Sequence, residues 1–392
     1  MATLNRRSKR SPPGDLYAPR SALNRDGAEG DRALRANTPE RALDPGPRRT
    51  RGNEGWTLPF IARTPTRIDL AGGTLDIWPV YLLLGCGLTL NVAIDIHSHV
   101  WLHPGQGPGY RLFSEDTGHW EEASSLEGLR LDGPLGLVAR AVRHSAPPEG
   151  LTVVTRNEAP KGSGLGASSS LLVALLAALD RLAGEEPDVA GLVDLAADLE
   201  AQTIRVPTGK QDYYAAVHGG ANAIWFEPGR DRVENLPLTD GFASRLRRSM
   251  VLSFTGEPHF SAPTNWRMVK AYIDGRPEAR RGLEAILQTA LEMREAWLAE
   301  DLEALGHLLA REWENRKGLA EGVSTPTVER AAAVAAEAGA LGSKICGAGG
   351  GGCMVSLTPV GRAEEVAAAL RDAGFRVLDF DFDREGLVFG AR

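Results

Sequence analysis

The sequence predicts an α+β fold with two domains, and three observations support this prediction. The chain has 392 residues, well above the roughly 100–200 residues of a usual domain. Strand and helix patterns occur in both halves, but not as regular βαβ units. Residues 227–241 form a break with two prolines, two glycines and several charges. We therefore predict domains at residues 56–235 and 236–392, preceded by a disordered tail at residues 1–55 that lacks apolar periodicity.

The elements of the first half follow from hydrophobic periodicity. Alternation of apolar and polar residues, or a short apolar run, predicts strands at residues 60–70, 88–102, 151–156 and 221–226. A continuous apolar run after serines predicts a buried helix at residues 168–182. An amphipathic pattern predicts a second helix at residues 189–203.

The second half mixes the same two kinds of pattern. Strands are predicted at residues 250–254, 353–357 and 375–382. Helices are predicted at residues 280–300, 302–317 and 363–373. Another helix is expected to begin at Thr325-Pro326, because Thr caps helices well and Pro suits the first turn.

Composition and charge limit the classes of function. The chain is 43% hydrophobic and 24% charged, which is typical of a globular protein. A net charge of −7 gives no reason to expect a nucleic-acid partner. No apolar run reaches the ~18 residues of a membrane span, so no membrane partner is expected. The three cysteines form no CxxC pair, which favours a cytoplasmic protein. We expect it to be a monomer or a homodimer.

The most informative segment is PKGSGLGASSS, residues 160–170, which precedes the predicted buried helix. Its glycines let the backbone turn sharply and approach a ligand closely. A helix that begins here directs free N–H groups and a positive dipole end toward the loop, as a phosphate site requires. The alternative is an ordinary glycine-rich helix start with serine caps. The predicted nucleotide-binding residues of this loop are Pro160, Gly162, Ser163, Gly164, Leu165, Gly166, Ala167, Ser168 and Ser169.

The loop contains no GxxxxGK[ST] motif, so it is not a Walker A loop. It resembles the second motif of the GHMP kinases, the family of galactokinase, homoserine kinase, mevalonate kinase and phosphomevalonate kinase. That motif has a Pro, three residues, Gly-Leu-Gly, a small residue and Ser. The match here is carried by Pro160, Gly164, Leu165, Gly166 and Ser168.

Two further segments resemble the other motifs of the family, in the same order. Residues 63–76, RTPTRIDLAGGTLD, resemble the first motif. They lack the Glu-His pair of galactokinases, and their Ala-Gly-Gly-Thr turn is similar to that of heptose-phosphate kinases and of the kinase part of fucokinases. Residues 344–355, KICGAGGGGCMV, resemble the third motif. The alternative for that loop is a flexible linker, although apolar strand residues flank it.

The resemblance implies a fold, two bound cofactors and the roles of several residues. The fold is the two-domain GHMP kinase fold, with a ribosomal protein S5 domain 2-like first domain and a ferredoxin-like second domain. The cofactors are ATP and Mg²⁺, and the acceptor is a small molecule, most of all a sugar or a sugar phosphate. The third motif completes the nucleotide site through Gly347, Gly349 and Gly350.

The resemblance also assigns the catalytic groups. Asp212 contacts the acceptor hydroxyl as a base or as a positioning group, and Ser168 and Glu200 hold Mg²⁺. Arg67 is the cation beside Asp212, where an always-charged guanidinium can stabilise developing negative charge. Lys210 is a second candidate for this cation. For the four charged residues among these, the alternative is a surface charge: Arg67, Glu200, Lys210 and Asp212.

Three residues of the turn in the first motif are predicted to bind the substrate: Gly73, Thr74 and Asp76. Asp76 could accept hydrogen bonds from sugar hydroxyls, or it could only stabilise the turn. Trp78 is expected to pack in the core. The polar segment at residues 254–266 could line the acceptor pocket.

Other functions compete with a sugar kinase. The same family includes kinases of non-sugar alcohols such as mevalonate and homoserine, and ATP-dependent decarboxylases. A non-catalytic binding protein is a fourth alternative, which the complete set of Arg67, Ser168, Glu200 and Asp212 disfavours. A metal site at His97, His99 and His103 is not predicted, because no Cys or acid lies at a metal-ligand spacing from them. Cys346 and Cys353 are expected to be small core residues.

Overall fold

The computed structural model describes residues 60–258 and 261–390. The predicted tail at residues 1–55 lies outside the described residues, and so do the start of the predicted first domain and part of the segment at residues 254–266. The described elements of the first half, in chain order, are β1 Phe60–Ala71, α1 Val80–Leu84, β2 Gly87–His103, β3 Tyr110–Ser114, β4 Trp120–Ala123, α2 Gly136–Ser145, β5 Leu151–Asn157, α3 Ala167–Leu182, α4 Val189–Ile204, α5 Gln211–His218, β6 Ala221–Glu227 and β7 Arg230–Leu236.

The second half contains more helix than strand. Its elements, in chain order, are α6 Asp240–Arg247, β8 Met250–Phe254, α7 Ser261–Ile273, α8 Pro277–Leu298, α9 Leu302–Lys317, α10 Pro326–Glu337, β9 Gly342–Ile345, β10 Cys353–Leu357, α11 Ala363–Asp372, β11 Arg376–Leu378 and β12 Val388–Gly390. Strands and helices thus occur in both halves, which confirms the predicted α+β class.

The strands form two sheets. The larger sheet has the order β12-β1-β2-β5-β3-β4, and the long strand β2 pairs with β6 as well, which in turn pairs with β7. In this sheet β3 and β5 are parallel, and the other pairs are antiparallel. The smaller sheet is antiparallel, with the order β11-β8-β10-β9.

Helix α3 is the central helix of the larger sheet. Its sequence is almost entirely apolar or small, and it is buried from Ser169 to Leu179. It contacts β1 and β2 on one side and α2, α4 and α5 on others. A helix that is apolar all round must be enclosed by other elements. The packing around α3 therefore fixes its N-terminus and the glycine loop that ends at Gly166.

The structure confirms the predicted cap of α10 and contradicts two other element predictions. Thr325 caps α10, since its Oγ1 accepts a hydrogen bond of 3.2 Å from the N–H of Val328. The predicted break at residues 227–241 contains β7, a strand that pairs with β6 along its whole length. The strand predicted at residues 375–382 is shorter, Arg376–Leu378, and it is not the last one, because β12 follows at Val388–Gly390.

The domain boundaries at residues 56, 235 and 236 stay a prediction. Strand β12 lies in the predicted second domain, yet it pairs with β1 of the larger sheet. Helix α9 contacts β1 of that sheet and β9 and β10 of the smaller one. None of the helices in the described ranges is both long and apolar enough to cross a membrane.

Candidate active site

Arg67 lies on β1 and joins two other parts of the site. Its Nε donates a hydrogen bond of 2.8 Å to Oδ1 of Asp212, and its Nη2 lies 2.6 Å from the same oxygen. Its Nη1 donates to the carbonyl of Gly164 at 2.6 Å, and its backbone N–H donates to the carbonyl of Leu165 at 3.1 Å. The predicted pairing of Arg67 with Asp212 is therefore present in the structure, directly beside the glycine loop.

Asp212 lies in the first turn of α5 and faces the start of α3. A Cβ atom built on Gly166 would lie 2.9 Å from the carboxyl carbon of Asp212. Burial raises the pKa of Asp212, although Arg67 opposes that shift by favouring the charged form. The side chain keeps 21% of its surface exposed, so a small molecule can reach it.

The glycine loop changes direction at residues with left-handed backbone. Gly164 has a φ of +73° and Gly166, the N-cap of α3, has a φ of +78°. Side chains rarely adopt such angles, which explains why the sequence uses glycine here. The loop begins with a turn in which the N–H of Ser163 donates to the carbonyl of Pro160 at 3.0 Å.

Glu200 lies on α4 and points to the first turn of α3. Its Oε2 accepts a hydrogen bond of 2.8 Å from Ser169 Oγ and another from the hydroxyl of Tyr213. Burial raises the pKa of Glu200, and hydrogen bonds from Tyr213, Ser169 and Ser168 partly offset that shift. Ser168 itself is exposed at the helix start, beside the buried Ser169.

These donors fit a magnesium ion. The carboxylate of Glu200 and the hydroxyls around it are all oxygen ligands, and Mg²⁺ prefers oxygen and keeps several waters. A buried carboxylate whose pKa is raised also gains most from a nearby cation, because the cation favours its charged form.

The glycine-rich loop of residues 347–352 packs directly against the phosphate loop. The N–H of Cys353 donates a hydrogen bond of 2.7 Å to the carbonyl of Ser163. A Cβ atom on Gly164 would lie 2.4 Å from the carbonyl oxygen of Cys346, and one on Gly352 would lie 2.7 Å from that of Ser163. Two backbones can approach this closely only where side chains are absent, so the loop is a packed element and not a flexible linker.

The three predicted glycines of this loop have different surroundings. A Cβ atom on Gly347 would lie 3.0 Å from the carbonyl oxygen of Gly164, so Gly347 borders the phosphate loop. Gly349 and Gly350 border Val323 instead, and the N–H of Gly350 donates to its carbonyl at 2.6 Å. Cys346 and Cys353 are both fully buried, as expected for small core residues.

The predicted substrate residues lie beneath the surface. Asp76 is 2% exposed and its Oδ2 accepts a hydrogen bond of 3.0 Å from the N–H of Gln211, the first residue of α5. Burial raises the pKa of Asp76 to about 6. Gly73 and Thr74 are buried as well, and both contact the guanidinium of Arg316. In this structure Asp76 therefore joins the turn to α5, whereas Gly73 and Thr74 join it to Arg316 of α9. Contact of these three residues with substrate stays a prediction.

Two other sequence expectations have different outcomes. Lys210 pairs with Asp194 at 2.7 Å and Asp231 at 3.0 Å, so its charge is already engaged and Arg67 is the cation beside Asp212. Trp78 is 58% exposed, so the expectation that it packs in the core is wrong.

Comparison with known proteins gives the family. The sequence profile of the GHMP kinases N terminal domain matches residues 135–220, and that of the GHMP kinases C terminal domain matches residues 293–376. The chain is 30% identical to the D-glycero-alpha-D-manno-heptose 7-phosphate kinase of Campylobacter jejuni, over 83% of this chain and 97% of that protein. The chain belongs to the GHMP kinase family. It is therefore an ATP-dependent phosphotransferase that acts on the hydroxyl of a small molecule.

Other GHMP kinases are similar to this one in sequence or in structure. The mevalonate kinase of Pyrococcus horikoshii is 30% identical, over 76% of this chain and 84% of that protein. A crystal structure described as a D-glycero-D-manno-heptose 1-phosphate kinase from Bacteroides thetaiotaomicron superposes with a TM-score of 0.69 at 26% identity. The superposition covers 84% of this chain and 98% of that one.

Sequence reasoning missed a buried ion-pair network behind the first motif of this GHMP kinase. Lys344 Nζ lies 2.7 Å from Oδ2 of Asp69, and Arg316 Nη2 lies 2.8 Å from Oε1 of Glu312. The two pairs are adjacent, with Lys344 Nζ 3.9 Å from Glu312 Oε2, and all four side chains are at most 1% exposed. We define these four residues as the buried ion network. The spacing of Glu312 and Arg316 on one helix face was the available signal for its second pair.

Proposed function

We propose that this GHMP kinase transfers the terminal phosphoryl group of ATP to a hydroxyl of a sugar phosphate, with a heptose phosphate as the first candidate. The observation that carries the proposal is the Arg67–Asp212 pair beside Gly164 and Gly166. Two relatives of this chain are described as heptose-phosphate kinases, and each is matched over nearly its whole length.

The chain's own residues divide the work of the reaction. Both bonds from Arg67 end on Oδ1 of Asp212, so Oδ2 can accept the proton of the acceptor hydroxyl. A raised pKa makes this carboxylate a stronger base than an exposed one. Arg67 keeps the carboxylate oriented and stabilises negative charge that develops next to it. The backbone of residues 160–170 holds the phosphates, since free N–H groups at the start of α3 attract anions.

Ser168 and Glu200 are proposed to hold Mg²⁺. When it is bound, the ion offsets the negative charge of the triphosphate.

We further propose that Gly73, Thr74 and Asp76 shape the floor of the acceptor site, either by direct contact or through the turn. We also propose that the protein is cytoplasmic and that it is a monomer or a homodimer. Size-exclusion chromatography with light scattering tests the oligomeric state.

An ADP-release assay with Mg²⁺-ATP tests the substrate class. The acceptors are heptose 7-phosphate, heptose 1-phosphate, galactose, fucose, mevalonate and homoserine. We expect the highest kcat/KM with one of the heptose phosphates, and ³¹P NMR of its product identifies the hydroxyl that was phosphorylated. Turnover of mevalonate alone would favour the second candidate, which the Pyrococcus horikoshii relative supports. Absence of ATP binding in calorimetry would contradict both candidates.

A further inference from the structure

Two histidines and a glutamate meet on the face of the larger sheet that is turned away from α3. His97 and His99 project from β2, and Glu158 follows directly after β5, the strand that pairs with this part of β2. His99 Nε2 lies 3.1 Å from Glu158 Oε1, and His97 Nδ1 lies 3.8 Å from Glu158 Oε2. The three ligand atoms all lie within 4.8 Å of one another. We define these three residues as the histidine cluster.

The spacing of the histidine cluster suits a small divalent metal ion. Zn²⁺ binds imidazole nitrogen and carboxylate oxygen at ~2.0–2.2 Å, so ligands on a tetrahedron around it are about 3.3 Å apart. The two measured separations, 3.1 Å and 3.8 Å, lie on either side of that value. A small rotation of the Glu158 carboxylate, which is the most exposed of the three groups, would therefore bring the ligands close to the bonding distance of one ion.

A fourth residue orients one of these ligands. His97 Nε2 makes a hydrogen bond of 2.8 Å to Oδ2 of Asp383, which is itself buried. Asp383 is fixed in turn by the backbone N–H groups of Glu385 at 2.9 Å and Gly386 at 2.8 Å. Histidines that bind metal usually donate their other ring N–H to a carboxylate in this way. The bond to Asp383 thus leaves Nδ1 of His97 as the nitrogen that faces Glu158.

The second histidine is also held in place. The imidazole of His99 stacks on Trp101, with 5.6 Å between ring centroids and 12° between planes. The backbone N–H of His97 donates to Oε2 of Glu158 at 2.9 Å, which fixes the carboxylate. The ligands are therefore preorganised, which reduces the entropy lost when an ion binds.

Ions can reach the histidine cluster from solvent. The side chain of Glu158 is 33% exposed, and it lines a cleft of about 740 Å³ that is bordered by β2, the end of α6, the start of α11 and residues 379–381. Five carboxylates and two arginines line this cleft, so its charge favours the approach of a cation.

We propose that His97, His99 and Glu158 bind a divalent transition-metal ion, with Zn²⁺ as the expected occupant and water in the fourth position. This site is separate from the one proposed for Mg²⁺, because it offers two imidazoles where Mg²⁺ prefers oxygen alone. Glu158 lies two residues before Pro160, so the ion would fix the start of the phosphate loop to β2. Through Asp383 it would also fix residues 383–386, the segment before β12, to the same strand.

Titration of the full chain with Co²⁺, in the presence of excess Mg²⁺, tests the proposal. We expect one Co²⁺ per chain, with visible absorption bands of a four- or five-coordinate site that disappear when Zn²⁺ is added. The variants His99→Ala and Glu158→Gln should weaken Co²⁺ binding at least about 100-fold, and Asp383→Asn about 10- to 100-fold. The control His103→Ala, on the same strand and beyond the cluster, should leave binding unchanged.

Two outcomes would overturn the proposal: no stoichiometric uptake by the wild-type chain, or unchanged uptake in His99→Ala. X-ray absorption of the Zn²⁺-loaded wild-type protein gives an answer that needs no variant. A spectrum with two imidazole ligands and oxygen is expected, and one with sulfur ligands or oxygen alone would reject the site. Neither measurement depends on kinase activity.

Discussion

The ion pair of Arg67 and Asp212 illustrates how burial sets the properties of a single residue. Burial raises the pKa of Asp212, and the guanidinium of Arg67 works against that shift. Arg67 thus favours the charged carboxylate, which can accept a proton, and burial makes that carboxylate a stronger base. General base catalysis requires both properties. A surface aspartate would be a weaker base at the same pH.

Asp212→Asn should remove the base without removing the nucleotide site. We expect kcat to fall by about 10²- to 10⁴-fold, the range for loss of a general base, while the Kd for ATP changes by less than about threefold. The control is Asp194→Asn, which alters an exposed carboxylate that pairs with Lys210. ADP release and calorimetry measure the two quantities. Retained turnover in Asp212→Asn would remove this residue from the mechanism.

Asp76 should make the stability of the fold depend on pH. Burial raises its pKa from the usual 3.8 to about 6, so the folded state binds this proton more tightly than the unfolded state. The contribution of Asp76 to stability is therefore complete below about pH 4 and is lost as the pH rises through about 6. A shift of this size corresponds to about 3 kcal/mol.

Urea unfolding of wild type and Asp76→Asn at several pH values between 4 and 7 measures this dependence. Between these limits, the free energy of unfolding of the variant should fall by about 2–2.5 kcal/mol less than that of the wild type, since part of the full effect lies below pH 4. Other titrating groups are shared by both proteins, so they cancel in the difference. A curve for Asp76→Asn that runs parallel to that of the wild type would contradict the assignment.

At the scale of elements, the sequence predicts those strands, helices and glycine loops that have a clear local pattern. The long strands β1 and β2 and the buried helix α3 were predictable, because their apolar patterns extend over many residues. Strand β7 was not recognised, since its sequence RDRVENL carries charges on both sides of an edge strand and so shows no apolar alternation. The tight turn at Pro228-Gly229 before it was the available signal for a hairpin. Burial of Asp76 could not be predicted, because it depends on packing against α5, far along the chain.

The contact between the two glycine loops can be tested with a pair of alanine variants. Gly164 and Gly184 have similar backbone angles, with φ of +73° and +78°, so alanine costs about 1–2 kcal/mol at either position. A Cβ atom at Gly164 would also lie 2.4 Å from the carbonyl oxygen of Cys346, whereas one at Gly184 meets nothing within 4 Å. Gly164→Ala should therefore displace the phosphate loop, and Gly184→Ala should not.

Calorimetry with ATP and urea unfolding separate the two effects. We expect both variants to lose similar stability from the backbone angle, and Gly164→Ala to lose more in total. In addition, Gly164→Ala should weaken ATP binding at least about tenfold, which is 1.4 kcal/mol. Equal ATP affinities of the two variants would indicate that the loop contact does not shape the nucleotide site.

At the scale of the whole molecule, the buried ion network joins residues that are far apart in sequence. Asp69 lies on β1 of the larger sheet, Lys344 on β9 of the smaller one, and Glu312 and Arg316 on α9 between them. Burial alone would raise the pKa of Asp69, but Lys344 and Arg316 hold it below its usual value. The network fixes the first motif from behind, because Arg316 also holds Gly73 and Thr74. A single sequence cannot reveal such a pairing, since no local pattern connects residue 69 with residue 344.

A double-mutant cycle measures how strongly the network couples the two sheets. Lys344→Met leaves the carboxylate of Asp69 buried without its partner, so we expect it to lower the free energy of unfolding by about 3–5 kcal/mol. The double variant Lys344→Met/Asp69→Asn should lose about 1–3 kcal/mol less than the sum of the two single variants. The exposed pair Lys270–Asp274, also within ion-pair distance at 2.5 Å, is the control, and its coupling should be about 0.3–0.5 kcal/mol. Equal coupling energies in the two cycles would mean that burial adds nothing to the Lys344–Asp69 pair, and that this pair does not couple the two sheets.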